Sequence, residues 1–309
     1  MLSKRIARLV AIPAMTVLAL TLTGCAQLSD FAEVLKDAGP GLLPKESTNA
    51  TNHTETITNL WVSSWAILWG VGIIAWGLMF WAIIVYRRRK GETKVPPQLR
   101  YNNPIETLFT VVPLILVAGF FAFTAKAMGE IEAPYAAGTT FTKVDAIGKQ
   151  WAWDFSYTDS NVHEIGIQAQ YAGGDSKFDS KTLPTLWLED GVPVEIHLHA
   201  RDVIHSFWVI DWLYKKDVIP GKDNNYIRVT PHITDGSKDQ TFQGKCAELC
   251  GEYHSLMLFQ VRVVSSDLYQ KHIAELQADP NTQGVLDYSN DRNTNLPGDN
   301  TQGSGGEDN

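Results

Sequence analysis

Hydrophobic positions come in long unbroken runs in the first part of this chain and in short alternating stretches in the second. From Leu60 to Tyr86 there is no charged side chain, and Trp61, Trp65, Trp69, Trp76 and Trp81 punctuate the run. An apolar helix of that length exceeds the roughly 30 Å thickness of bilayer hydrocarbon, so a tilted span fits. Tryptophan favours the membrane interface, which agrees. The run stops at Arg87, Arg88, Arg89 and Lys90, followed by Lys94 and Arg100. A second apolar stretch, Leu108–Ala125, is broken only by Pro113 and small polar residues, and Lys126 closes it. The pattern predicts a transmembrane helical hairpin over residues 59–128. Its basic loop belongs in the cytoplasm, which leaves both chain ends outside. A buried helix pair of a soluble core fails on length and on the charge asymmetry.

The N-terminus reads as a signal peptide over residues 1–24: Lys4, Arg5 and Arg8, then apolar Leu9–Leu22, then Thr23, Gly24 and Cys25. A cysteine after Thr-Gly resembles a bacterial lipobox, which would lipidate Cys25 and anchor it in membrane lipid; an ordinary export signal with a chance cysteine is the alternative. Residues 25–58 form a polar tether. The expected location is the plasma membrane of a bacterium, multi-pass. From Phe141 to Ser265 the texture is that of short strands. Trp151–Tyr157 alternates at period two, and Val192–Leu198, Phe207–Ile210, Tyr226–Val229 and Met257–Val264 are further candidates, with turns at Asp190-Gly191, Pro220-Gly221 and Asp235-Gly236. Many short strands with frequent turns predict an all-β sandwich over residues 129–275. An amphipathic helix is expected at Ser266–Gln277. The tail, residues 276–309, is rich in Asn, Asp, Gly and Thr and reads as disordered.

A net charge of -8 on 309 residues argues against nucleic acid as a partner. Of 3 cysteines, two stand in one dense run: Cys246, Glu248, Cys250, His254 and Met257, spaced C-x-E-x-C-x-x-x-H-x-x-M. Thiolate, imidazole and thioether together select copper among first-row metals, and a second thiolate with two different terminal ligands points to more than one ion. The upstream histidine that best completes the set is His205, at the start of a strand-like run. His197 and His199 share one face of a strand with no partner motif and read as satisfied strand histidines. Beside a chance arrangement, two simpler readings compete: a disulfide, as in many exported cysteine pairs, and structural zinc on His205, Cys246, Cys250 and His254. Neither explains Met257.

The motif with His205 resembles the binuclear copper-A site of the cytochrome c oxidase subunit II family. The segments Gly148–Trp153, Asp202–His205, Lys216–Gly221 and Ile105–Pro113 resemble that family in order and spacing, over roughly residues 60–275. The resemblance implies a cupredoxin-like copper-A domain behind the hairpin. Cys246 and Cys250 would bridge two copper ions, with His205 and His254 as terminal ligands, Met257 as a weak ligand and the Glu248 carbonyl as another. It also implies that the Glu248 carboxylate shares a magnesium ion with subunit I. Trp151 would be where electrons enter, and Glu106 would open a proton pathway. Implied partners are oxidase subunits I and III and a c-type cytochrome, soluble or within a cytochrome bc-type supercomplex. The implied activity is that of an aa3-type, proton-translocating cytochrome-c oxidase, of which this chain carries electrons without itself reducing oxygen. Asp202 matches one acid of the family's docking patch for the donor, whereas another such position holds Ser156.

Rival classes are a quinol oxidase subunit II, which lacks the copper ligands, an exported copper-binding or assembly protein, and an exported zinc lipoprotein. An insertion at about residues 159–181 has no assigned role.

Overall fold

A computed structural model describes residues 49–288, apart from 94, 97 and 170–182. The signal segment, Cys25, nearly all of the tether and the tail beyond residue 288 lie outside the described residues. The chain divides into two compact units, one holding Thr58–Lys126 and the other Pro44–Ile57 together with everything from Ala127 onward.

The first unit contains most of two long apolar helices, α1 (Thr54–Val85) and α2 (Asn103–Ile131). Both are long and apolar enough to cross a membrane. α1 begins six residues before its apolar run, and α2 extends beyond its run by five residues at the start and six at the end, because a helix continues until its backbone meets a competing partner rather than where hydropathy falls. Pro113 sits inside α2, where it removes one backbone donor.

The second unit is a sandwich of two five-stranded sheets. Its strands are β1 (Thr142–Lys149), β2 (Ala152–Tyr157), β3 (Val162–Glu164), β4 (Thr185–Glu189) and β5 (Val194–Ala200), then β6 (His205–Val209), β7 (Tyr214–Val218), β8 (Tyr226–Val229), β9 (Asp239–Cys246) and β10 (Leu258–Val264). One sheet has the order β3-β2-β1-β5-β8 and the other β4-β10-β9-β6-β7. Helix α3 (Ser266–Ala278) follows and buries Tyr269, Ile273 and Leu276.

Alternation decides what each face does. Val144, Ala146, Trp153, Phe155, Ile196 and Leu198 point into the sandwich against Leu186, Phe207, Phe259 and Val261 from the other sheet. Trp153, Phe207 and Phe259 form its centre, with the Phe207 and Phe259 rings stacked 4.6 Å apart and Trp153 5.5 and 5.3 Å from them. Gly244 lies opposite Phe259 in the β9–β10 ladder and makes room for its ring.

Part of the expected disorder at the C-terminus is overturned. Residues 279–288 return across the first sheet as a strap. Thr282 accepts the His163 N–H, Gly284 N–H donates to Asn161, and the Leu286 N–H donates to the Ser156 hydroxyl. Low hydrophobicity misled the reading here, because the strap is held by backbone hydrogen bonds and a few rings rather than by apolar burial.

A Cβ built on Gly244 falls 2.2 Å from the Phe259 ring. Gly244→Ala is therefore expected to lower stability by about 1–3 kcal/mol through overpacking, read from the denaturant midpoint at unchanged m-value.

Candidate metal centre

Sheet pairing assembles the cluster. β6 begins at His205 and β9 ends at Cys246, and these strands are neighbours, with Phe207 opposite Cys246. The loop that follows is closed at its base by the Cys246 N–H to the Met257 carbonyl, and the Ala247 N–H bonds to Ser206. Distant segments of sequence thus meet because a loop is pinned to the strand beside it.

His205, Cys246 and Cys250 bring ligand atoms within 4.8 Å of one another. The two sulfurs are 3.9 Å apart and both cysteines are free, so the expected rival of a disulfide, which needs about 2.05 Å, is absent here. His205 Nδ1 faces Cys246 Sγ at 3.9 Å, and His254 Nδ1 faces Cys250 Sγ at 3.6 Å. Met257 Sδ is 3.7 Å from Cys250 Sγ, and the Glu248 carbonyl oxygen is 3.2 Å from Cys246 Sγ. Met257 is fully buried and both cysteines nearly so. Cys250 and Cys246 share a hydrogen bond that holds the Cys246 thiol well below the ordinary thiol range, against the opposing effect of burial, and pushes Cys250 up.

The donor set fits a metal pair. A metal–sulfur bond of about 2.3 Å lets one ion touch both sulfurs across their 3.9 Å gap. One imidazole faces each sulfur, which suits two ions better than one. Thiolate, imidazole and thioether are copper's ligands.

Around this set lies a support that sequence reading missed. His205 Nε2 contacts the Asp202 carboxylate at 2.8 Å, which fixes the ring so that Nδ1 faces sulfur. Burial opposes the Asp202 charge, but hydrogen bonds from His205 and from the Gln150 and Val203 N–H groups hold its carboxyl below the usual range. The same contacts work on His205, where burial pushes down and the bonds to Asp202 and Cys246 prevail upward. The Asp202 side chain is only 2 % exposed, so the expected place for it in an acidic docking patch is not met. Ser156, the other position of that patch, is buried under the strap. Gly148 matters because a Cβ there would press on the His205 ring at 3.0 Å.

Trp151 lies in the turn between β1 and β2 rather than in a strand. Its Nε1–H donates to the Cys250 carbonyl at 3.2 Å, beside the Gln150 side-chain amide at 2.6 Å, and its ring packs on Tyr253. Residues at the start of the insertion cover this turn, with the Ala169 N–H bonded to the Trp151 carbonyl. Glu248 turns its carbonyl to the cluster while the residue itself is exposed, next to Leu249, which is 77 % exposed. Glu106, in the other unit, is exposed in the first turn of α2, where its carboxylate accepts the Asn102 N–H at 2.8 Å.

Fold and site together define a membrane-anchored β-sandwich that carries clustered soft-metal ligands. Comparison with known proteins agrees. The family described as "Cytochrome C oxidase subunit II, periplasmic domain" matches residues 142–264. A protein named "Probable cytochrome c oxidase subunit 2" from Streptomyces avermitilis is 40% identical over 276 residues, covering 80% of this chain and 84% of the relative. "Cytochrome c oxidase subunit 2" of Mycobacterium tuberculosis is 29% identical over 300 residues, covering 84% and 78%. The crystal structure of the periplasmic domain of cytochrome oxidase subunit II of Bradyrhizobium japonicum aligns over 47% of this chain and 96% of its own, at 25% identity and a TM-score of 0.37. The chain belongs to the cytochrome c oxidase subunit 2 family.

Asp202→Asn removes the charged partner of His205 and is expected to weaken metal affinity by about 10–100-fold, measured by chelator competition. Affinity equal to that of the parent protein would show that Asp202 does not position the ring.

Proposed function

We propose that this chain is the electron-accepting subunit of an aa3-type, proton-translocating cytochrome c oxidase in a bacterial plasma membrane. The observation that carries the reading is the pair of free thiols at 3.9 Å with one imidazole facing each sulfur. Cys246 and Cys250 would hold two copper ions between them, with His205, His254, Met257 and the Glu248 carbonyl completing the set. When bound, that copper pair supplies one-electron acceptance and donation between a c-type cytochrome and the haem of subunit I.

The chain's own residues do the rest. Strands β6 and β9 hold two donors, His205 and Cys246, and the pinned loop holds the others, so the ligand frame has little room to rearrange. Buried Met257 and the nearly buried sulfurs keep water from the ligands. A labile copper carrier would instead present its Met and His to solvent. Trp151 is half-buried with its indole N–H on the Cys250 carbonyl, a position that suits contact with an electron donor. The exposed Glu248 side chain and Leu249 form the part of the loop available to subunit I, where the carboxylate would share a magnesium ion. Two apolar helices support a multi-pass anchor with the copper domain on the outer face. Subunit III and a cytochrome bc-type supercomplex are the further partners this reading includes, with lipidation of Cys25 as a second anchor.

In the purified assembled oxidase, electron paramagnetic resonance is expected to show hyperfine splitting from two equivalent copper nuclei, lost in Cys246→Ser. A signal from a single localised copper at these residues, or zinc in their place, would sink the proposal.

For Glu106, the expected role is to open a proton pathway. A glutamine side chain can still accept the Asn102 N–H, so Glu106→Gln isolates the charge from the helix cap. Turnover and proton uptake should both fall in the assembled enzyme, and parental values of both would remove the role.

A further inference from the structure

The outer face of the first sheet carries a second group of metal-ligand side chains that shares no residue with the cysteine cluster. β1 and β5 run parallel, with Asp145 opposite His197 and Ile147 opposite His199. Side-chain alternation turns Asp145, His197 and His199 away from the sandwich core, onto one patch. Their ligand atoms all lie within 4.8 Å of one another.

The geometry is wrong for hydrogen bonding and right for an ion. Asp145 Oδ1 is 3.8 Å from His197 Nδ1 and 3.7 Å from His199 Nε2, too far to accept a hydrogen bond from either. Bonds of about 2.0–2.1 Å to a tetrahedral ion put neighbouring ligand atoms about 3.4 Å apart, a small contraction from what is seen.

Two further observations point to a ligand. His199 is only 7 % exposed, and its Nε2 has no hydrogen-bond partner among the described residues. A buried ring nitrogen left so is costly unless something occupies it. His197 Nε2 meets the Asp223 carbonyl at 2.5 Å, which makes it the N–H and leaves the Nδ1 lone pair facing Asp145. That is the arrangement of metal-bound histidines, whose second nitrogen donates to a carbonyl or carboxylate.

The rings are also locked. His197 stacks on Tyr226 at 4.4 Å, and His199 stacks on Tyr288 of the strap at 3.6 Å. The histidines read as satisfied strand residues are thus held in place while one nitrogen stays unpaired.

We propose that Asp145, His197 and His199 bind one divalent transition-metal ion of the zinc class. Two imidazoles and a carboxylate suit zinc or copper(II), and no sulfur is within the set. The ion would clamp β1 to β5 beneath the strap.

The test uses the assembled, copper-loaded oxidase dialysed against zinc chloride and freed of loose metal. Wild-type enzyme is expected to hold one more zinc per complex than the His197→Ala/His199→Ala double variant. The zinc-edge X-ray absorption difference should contain nitrogen and oxygen neighbours only. Asp145→Asn, which is nearly isosteric, should weaken zinc retention at least tenfold and serves if the double variant fails to assemble. An unchanged copper resonance signal in each variant shows that the β domain is intact. Equal zinc in wild type and variants would overturn the proposal, as would sulfur in the wild-type difference signal, which would place the ion on the cysteines.

Discussion

A single backbone carbonyl, that of Cys250, carries the constraint on which the site depends. It accepts from the Gln150 amide and from the Trp151 indole, both on the turn between β1 and β2. The same turn gives the Gln150 N–H to Asp202, and Asp202 holds His205 on the other sheet. The ligand loop, the half-buried tryptophan and the upstream histidine are therefore fixed against one another by four hydrogen bonds. Gly251, at φ +125, permits this approach, because a Cβ there would lie 3.0 Å from the Trp151 ring. Burial of apolar area builds the sandwich beneath, but it cannot set the direction of an imidazole. Directional polar contacts do that, and they are strong where water is excluded.

The first sheet has an unusual outer surface. Alternation places Asp145, Lys149, Asp154, Ser156, His199 and Arg201 on that side, yet all are buried. Lys149 pairs with Asp154 at 2.7 Å, and Arg201 approaches the same carboxylate at 3.9 Å. Desolvation pushes Lys149 down from its ordinary value, so the pairing offsets a real penalty. The strap and the start of the insertion cover these groups. An outer face normally given to water has become a second, polar interior.

That surface explains where sequence reading succeeded and where it stopped. The run from Cys246 to Met257 was legible because its donors are local and chemically distinctive, and the apolar helices because their signal is long. Tyr226–Val229 appears where expected, and α3 within a residue. β1 and β9 were missed, since Thr142–Lys149 and Asp239–Cys246 mix glycine, charge and glutamine with few apolar residues. They are strands because neighbours pair with them on both sides, which no local pattern reports. Asp202 stood three residues before His205 in plain view. Its inward direction depends on the turn carrying Gln150, a tertiary fact. The free nitrogen of His199 and the covering Tyr288 were equally hidden, being separated by most of the β domain.

The inward use of Asp202 has a consequence for how such a protein changes over time. Asp202, the charged group among those that orient the ligand set, lies inside the fold, and none of its charge is lent to the surface. The exterior around Trp151 can accordingly gain or lose charge without disturbing the contact that orients His205 beneath. If Trp151 meets the electron donor as proposed, recognition and electron chemistry can change separately, joined through one indole N–H on the Cys250 carbonyl.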